Sequence, residues 1–256
     1  NVSLNKLATG AEIKFTLANY KRIFGFSWKK FDKEFWSSLG VTIRWTLVMT
    51  LGNNLMGLLC AFLIHSLKRG KRFFLALLFW PSLVSGVVGS DVTKLVFDSG
   101  SNSLANKLIM AFGHEPIQWL TDEKYALISL MIMPFFFGFC TKMLIYYSSI
   151  IAIPNTYKEA ATLDTDSHVK LPLMKNALIL NLLLSIIDGF KILGPMQLIT
   201  NGGYGTNSSM LYIYNTAFED GLFGRSCAYA TILFLIILAF TLVQRKISGE
   251  EVDTIE

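Results

Sequence analysis

Charge is what this sequence has least of for its size. Asp, Glu, Lys and Arg make up 16% of its 256 residues, against about a quarter in a water-soluble domain. Cysteine is nearly absent too. The three present, Cys60, Cys140 and Cys227, are far apart, sit inside apolar runs and form no CxxC or Cys/His spacing. That excludes a disulfide framework and a structural metal site as organising features. The three histidines, His65, His114 and His168, lie in separate loops or span ends, and no Ser/His/Asp, Cys/His or paired-carboxylate set surrounds them. An enzyme is therefore not expected. The nearest thing to a phosphate-binding loop, NGGYGTNSS, has no lysine and no strand–helix context, so no nucleotide site is expected in this chain.

What is abundant is hydrocarbon. Hydrophobic residues reach 52%, with 20 Phe and 9 Met, and the mean hydropathy is +0.47. A formal charge of +5 raises the question of nucleic acid. The basic residues are scattered at the ends of apolar runs, which suits a membrane and no nucleic acid.

Near-continuous apolar stretches of roughly 20 residues mark membrane spans. Five are expected, at Val41–Ile64, Phe73–Val92, Tyr125–Tyr146, Leu173–Ile192 and Ala228–Val243. The runs do not alternate, so an all-α polytopic membrane protein is expected rather than a barrel. The densest basic cluster, Lys68, Arg69, Lys71 and Arg72, places the first loop in the cytoplasm. Counting on, residues 98–124 and 194–224 lie outside, and residues 159–172 and the tail 247–256 lie inside. Arg245 and Lys246 agree with the last exit. Residues 1–38 then form an external segment despite their lysines and arginines, and residues 39–246 form the transmembrane domain. An external start predicts a sixth, N-terminal span upstream of Asn1. In the external loop, Ser103 reads as a helix cap, with Leu104, Leu108, Ile109 and Phe112 at helical spacing behind it.

The cytoplasmic loop 155–172 is more organised than a connector needs to be. Asn155 or Thr156 can cap a helix, and Glu159 near its first turn complements the dipole. Ala160 and Ala161 give it a smooth face, Leu163 adds an apolar contact, and Asp164 lies at the charged edge. Such a helix is suited to lie in another protein's groove.

Glu159-Ala160-Ala161, Asp164 and Leu171-Pro172 resemble the EAA signature of permease subunits of bacterial ATP-binding-cassette (ABC) importers. LANYKRIF, FFLALLFWPSLVSGVVGSDVTKLVFD, IPNTYKEAATLD and LITNGGYGTNSSMLYIYNTAF are similar, in order, to landmarks of the carbohydrate branch, the maltose-type permeases. The resemblance runs from about Leu17 to Lys246. It implies that residues 155–172 form a coupling helix seated in a separate cytoplasmic ATPase. Glu159 and Asp164 would make polar contacts there, and Ala160 and Ala161 would allow close approach. Closure of the ATPase on ATP and Mg would then rock the spans between inward- and outward-open states, with no cofactor in this chain itself. The implied partners are a second permease subunit, two ATPase subunits, an extracytoplasmic solute-binding protein, a sugar and the lipids of the bacterial cytoplasmic membrane. The first family span is missing here. Thr165 stands where the family has glycine, and only HVK separates Ser167 from Leu171, a shorter loop than the family pattern. Either that loop is naturally short or a piece is missing from this chain; the second is the expectation.

Charges inside spans are functional candidates by default. Asp91 with Lys94 and Asp188 with Lys191 are spaced as local i, i+3 pairs, and Lys142 is placed to snorkel toward the inner end of its span. The segment DGFKILGPMQLITNGGYGTN is the stronger candidate for the substrate path, because Gly189, Gly194 and Pro195 interrupt a helix late in its span. Phe190 offers an aromatic platform there, and Gln197, Thr200 and Asn201 offer hydrogen bonds. Gly203, Tyr204 and Asn207 are candidates for contact with the binding protein. The lysines leave an anionic solute such as glycerol phosphate open as cargo. A self-sufficient secondary transporter or channel is the rival class, but no internal repeat or chain of buried acids supports it.

Overall fold

The computed structural model describes residues 17–25, 32–154 and 173–249. Among these there are helices and turns and no strand. In chain order the helices are α1 (Ala18–Ile23), α2 (Lys33–Ser66), α3 (Lys71–Phe79), α4 (Gly86–Phe97), α5 (Leu104–Ala111), α6 (Ala126–Ala152), α7 (Lys175–Phe190), α8 (Ser209–Phe218) and α9 (Phe223–Gly249).

Three of the five expected spans are helices long and apolar enough to cross a membrane: α2, α6 and residues Phe223–Lys246 of α9. The second expected span is not a straight helix. Residues Lys71–Leu83 and Gly86–Phe97 meet at 87° and count as a fourth span only if the two arms are taken together. The cause is local. Pro81 sits at the start of a 3-10 turn, Trp80–Leu83, and Val84 and Ser85 are extended. The Ser85 hydroxyl then accepts a hydrogen bond from the Val87 N–H and starts a new helix. The fourth expected span corresponds to α7, whose 16 residues reach ~24 Å at 1.5 Å each, short of the ~30 Å hydrocarbon core. The chain then turns at residues 191–195 and makes a π-helical turn at Met196–Thr200. The helix expected behind Ser103 is present as α5, and Ser103 caps it by accepting from the Asn106 N–H.

The core forms where α2 meets α6, α7, α8 and α9. Toward the C-terminal end of α2, Ala61 and Ile64 pack with Met143, Tyr146 and Ile150 of α6. Toward its N-terminal end, Phe35 and Leu39 meet Ile213 of α8 and Tyr229 and Ile232 of α9. Between lipid-soluble helices there is little hydrophobic drive to associate, so close packing of small residues matters most. Gly57 of α2 shows this. A Cβ there would come within 2.9 Å of Lys142 Cβ, 3.0 Å of the Met143 nitrogen and 3.1 Å of the Phe139 oxygen. Two of those atoms are backbone, so the clash cannot be relieved by a rotamer. Gly57→Ala is expected to cost about 1–3 kcal/mol, read as a lower Tm in detergent. Gly40→Ala, with nothing within 4 Å of its Cβ, is the control and should be neutral or stabilising by up to ~1 kcal/mol.

Candidate functional site

A stripe of small polar residues runs along the buried face of α2: Ser38, Thr42, Thr46, Thr50, Asn53 and Asn54. The spacing of about four residues keeps them on one side of the helix. Thr42 and Thr46 donate to carbonyl oxygens one turn back, Ser38 and Thr42, which satisfies them inside the helix. Thr42 Oγ1 also accepts from the Ser209 N–H at 2.9 Å and so holds the start of α8. Asn54 joins three helices. Its amide donates to Ser185 Oγ of α7 at 2.9 Å and to the Thr50 oxygen at 2.7 Å, and its oxygen accepts from the Tyr146 hydroxyl of α6 at 2.6 Å.

Above that knot the three helices part and leave a cavity of about 250 Å³, walled by Trp45, Met49 and Asn53 of α2, Pro134 and Lys142 of α6, and Asp188 of α7. It lies near the middle of α2 and α6, where irregular or charged groups are tolerated only against protein or water. Lys142 is 8% exposed and Asn53 is 8% exposed. The Lys142 ammonium faces the Asp188 carboxylate at 3.8 Å, and the Asp188 side chain is 73% exposed toward the cavity's open side. Asn53 Oδ1 has no hydrogen-bond partner among the described residues. Gly189 brings α7 against α2, since a Cβ there would lie 2.7 Å from Thr46 Oγ1 and 3.0 Å from Thr46 Cα. Gly138 does the same for α6 beside Asn53, with Nδ2 2.5 Å from its would-be Cβ.

The expected site residues are dispersed. Asp188 lines the cavity, but its ionic partner is Lys142 of the neighbouring helix rather than Lys191. Phe190 points the other way. It is 2% exposed in the core shared by α2, α8 and α9 and packs against Phe240 of α9, with ring centroids 5.6 Å apart. Asp91 and Lys94 are exposed on α4, and no ion pair joins them among the described residues. Gly189 does not interrupt its helix; it lies inside α7. Gln197, Thr200 and Asn201 belong to the π-helical turn after α7 and do not wall the cavity. There the Thr200 hydroxyl pairs with Thr206 at 2.5 Å, and Asn201 and Tyr204 take positive φ of 48° and 52°. Gly203 accepts from the Thr206 N–H at 3.1 Å and from its hydroxyl at 2.6 Å. This bonding presents the Tyr204 ring, 47% exposed, beside the half-buried Asn207. Glu159, Ala160, Ala161, Leu163 and Asp164 lie outside the described residues. Asn53 was missed by sequence reasoning, although the polar stripe through the first span was the signal that could have found it.

At the N-terminal end of α2 a single carboxylate ties three elements. Asp32 caps α2 by accepting from the Phe35 N–H. It also accepts from the hydroxyls of Tyr212 of α8, at 3.0 Å, and Tyr229 of α9. Burial, and then the neighbouring Asp32 charge, push the Tyr212 hydroxyl up to about 12.

These features describe a helical protein with helices long and apolar enough to cross a membrane and a polar cavity between them. Over most of its length the chain is similar to the permease subunits of carbohydrate ABC importers. No protein-family model matches it. It is 25% identical over 258 aligned positions to the arabinooligosaccharides transport system permease protein AraP of Bacillus subtilis, covering 97% of this chain and 80% of the relative. It is 28% identical to the multiple sugar-binding transport system permease protein MsmF of Streptococcus mutans, over 85% and 77% of the two chains. It is 27% identical to the trehalose/maltose transport system permease protein MalF of Thermococcus litoralis, over 90% and 78%. Among solved structures it superposes on a chain of a bacterial ABC transporter involved in the import of the acidic polysaccharide alginate, with a TM-score of 0.80 at 15% identity over 96% of this chain and 89% of that one.

The raised Tyr212 value gives a pH dependence with a definite sign. The folded state keeps a proton on this hydroxyl that the unfolded chain releases near its ordinary 10.0. The stability it contributes is therefore full below about 10 and lost as pH rises through about 12. Thermal denaturation between pH 9 and 12 should show that loss, and Tyr212→Phe should make it shallower without removing it, because the Tyr229 hydroxyl bonds the same buried carboxylate.

Proposed function

We propose that this chain is the transmembrane permease subunit of an ABC importer for a sugar or oligosaccharide, in the bacterial cytoplasmic membrane. The observation that carries the reading is a polar cavity, holding one compensated charge pair, at the convergence of helices that match sugar-transport permeases over nearly the whole chain. Here five spans are counted by taking the bent pair α3–α4 as one crossing and α7 with its following turn as another. The chain supplies half of the translocation path, and a second permease subunit supplies the other half.

Coupling belongs to residues 155–172, with Glu159, Ala160, Ala161, Leu163 and Asp164 docking on a separate ATPase that binds ATP and Mg. Two ATPase subunits and an extracytoplasmic solute-binding protein complete the assembly. A second solved structure of similar fold, with a TM-score of 0.79, is an alginate transporter in complex with an alginate pentasaccharide-bound periplasmic protein. That supports a binding-protein partner here. The turn around Gly203, Tyr204 and Asn207 is the docking surface, because it holds an exposed aromatic ring on an internally bonded loop.

The test is ATP hydrolysis by the complex co-purified with this chain. The binding protein should stimulate it, and Glu159→Lys should reduce that stimulation by at least about fivefold; full coupling in that variant removes the docking role. Tyr204→Ala should raise the binding-protein concentration for half-maximal stimulation by about tenfold, measured in the same assay.

A further inference from the structure

We propose that the groove on the C-terminal end of α2, with the basic turn that follows it, is a site for one anionic phospholipid. Its acyl chain lies against α2 and its phosphate among Lys68, Arg69 and Arg72. The proposal rests on the permease reading only in taking α2 as a membrane span, and it adds a lipid ligand to that reading.

The groove follows from helix geometry. Leu59, Phe62, Leu63 and Ser66 recur at i, i+3, i+4 and i+7 and share one face of α2, while Ala61 and Ile64 on the opposite side pack against α6. With His65 these four line about 490 Å³, within the ~300–1,000 Å³ of ligand sites. Leu59 and Leu63 remain 49% and 58% exposed, and the face runs ~10 Å along the axis at 1.5 Å per residue. An apolar groove stays dry, so in a bilayer its occupant is hydrocarbon.

Charge decides which lipid. The apolar face ends at Ser66, and Lys68, Arg69, Lys71 and Arg72 follow at once. Basic clusters beside a span attract anionic headgroups. No acidic residue occurs between Glu34 and Asp91, and among the described residues no carboxylate pairs with any of the four cations. Lys71 is committed, because its Nζ donates to the His65 oxygen at 2.7 Å and closes the end of α2. That bond holds the basic turn against a residue lining the groove. Lys68, Arg69 and Arg72 are exposed and remain for a phosphate, whose oxygens a guanidinium binds in pairs.

The turn itself favours an anion. Gly70 takes a left-handed φ of 81°, and α3 starts behind it with Lys71 and Arg72 in its first turn. Cations at the positive end of a helix dipole are unfavourable, and neither a capping side chain nor a first-turn acid offsets them here. A phosphate over that turn does. Beyond it, Leu75 and Leu78 of α3 pack on the core of α2 and α6. The other face, Phe73, Leu77 and Trp80, stays exposed and extends the apolar surface that the lipid meets.

The test titrates lipid into the full chain in detergent and counts bound lipid by native mass spectrometry, with Tm as the second readout. The probes are palmitoyl-oleoyl phosphatidylglycerol, phosphatidylcholine with the same chains, and glycerol phosphate, which has no chains. Phosphatidylglycerol should occupy one site at least about tenfold more tightly than phosphatidylcholine and raise Tm, and glycerol phosphate should do neither. The triple variant Lys68→Gln, Arg69→Gln, Arg72→Gln should remove the preference, at about fivefold per cation. Leu63→Trp fills the groove and keeps every charge, and should weaken phosphatidylglycerol by at least about fivefold. Equal binding of both lipids, a response to glycerol phosphate, a preference retained in the triple variant, or unchanged binding in Leu63→Trp would each overturn the assignment. So would loss of the site in the complex with the ATPase, which gives this face to protein. The lipid-free Tm shows whether each variant folds; if Leu63→Trp does not, the triple variant decides alone. Failure of the permease reading looks different, because stimulation of ATP hydrolysis by the binding protein is then lost while the lipid site stands.

Discussion

The close approach of α2 to α6 and α7 sets the geometry of everything polar in this molecule, and three glycines make it possible. Gly57 lets α2 sit against the Lys142 and Met143 backbone, Gly138 lets α6 receive the Asn53 side chain, and Gly189 lets α7 reach Thr46. Each lies next to one of the groups that give the cavity its character. The contact that brings Lys142 alongside α2 also fixes how far its ammonium can reach toward Asp188. With larger residues at these points the helices would stand apart by a side chain, and the charge pair and the three-helix hydrogen-bond knot would both be lost.

Inside a bilayer an unpaired polar group has no water to turn to, so the polar stripe of α2 needs an account residue by residue. Thr42 and Thr46 bond back to their own helix. Asn54 is bound on both sides, by Ser185 and Tyr146. Asn53, one residue along, is turned by 100° of helix away from that knot and toward the cavity. Adjacent asparagines thus differ: Asn54 locks three helices together, and Asn53 keeps a buried oxygen with no partner among the described residues.

The N-terminal end of α2 is organised by a different device. Asp32 gathers a backbone N–H and two tyrosine hydroxyls from α8 and α9, and the Phe35 ring stacks on Tyr229 at 4.7 Å. α8 and α9 are therefore fixed to the start of α2. The same α2 walls the cavity further along, so one helix joins the Asp32 cluster to the cavity.

Hydropathy alone located α2, α6 and α9, because the cost of burying backbone and side chains in lipid is nearly additive along the chain and survives any packing. The cap at Ser103 was legible because capping is a local bond. The break at Val84–Ser85 was harder. Its signals, Pro81, Ser85 and Gly86, lie inside a run whose average hydropathy is unbroken. What no local property could supply was which helix faces meet. Asp188 has Lys191 one turn away on its own helix and Lys142 on another, and tertiary packing selected Lys142. Phe190 has the chemistry of a sugar platform, and packing turned it into the core against Phe240. Helical periodicity fixes which residues share a face, and only the assembled bundle decides what that face looks at.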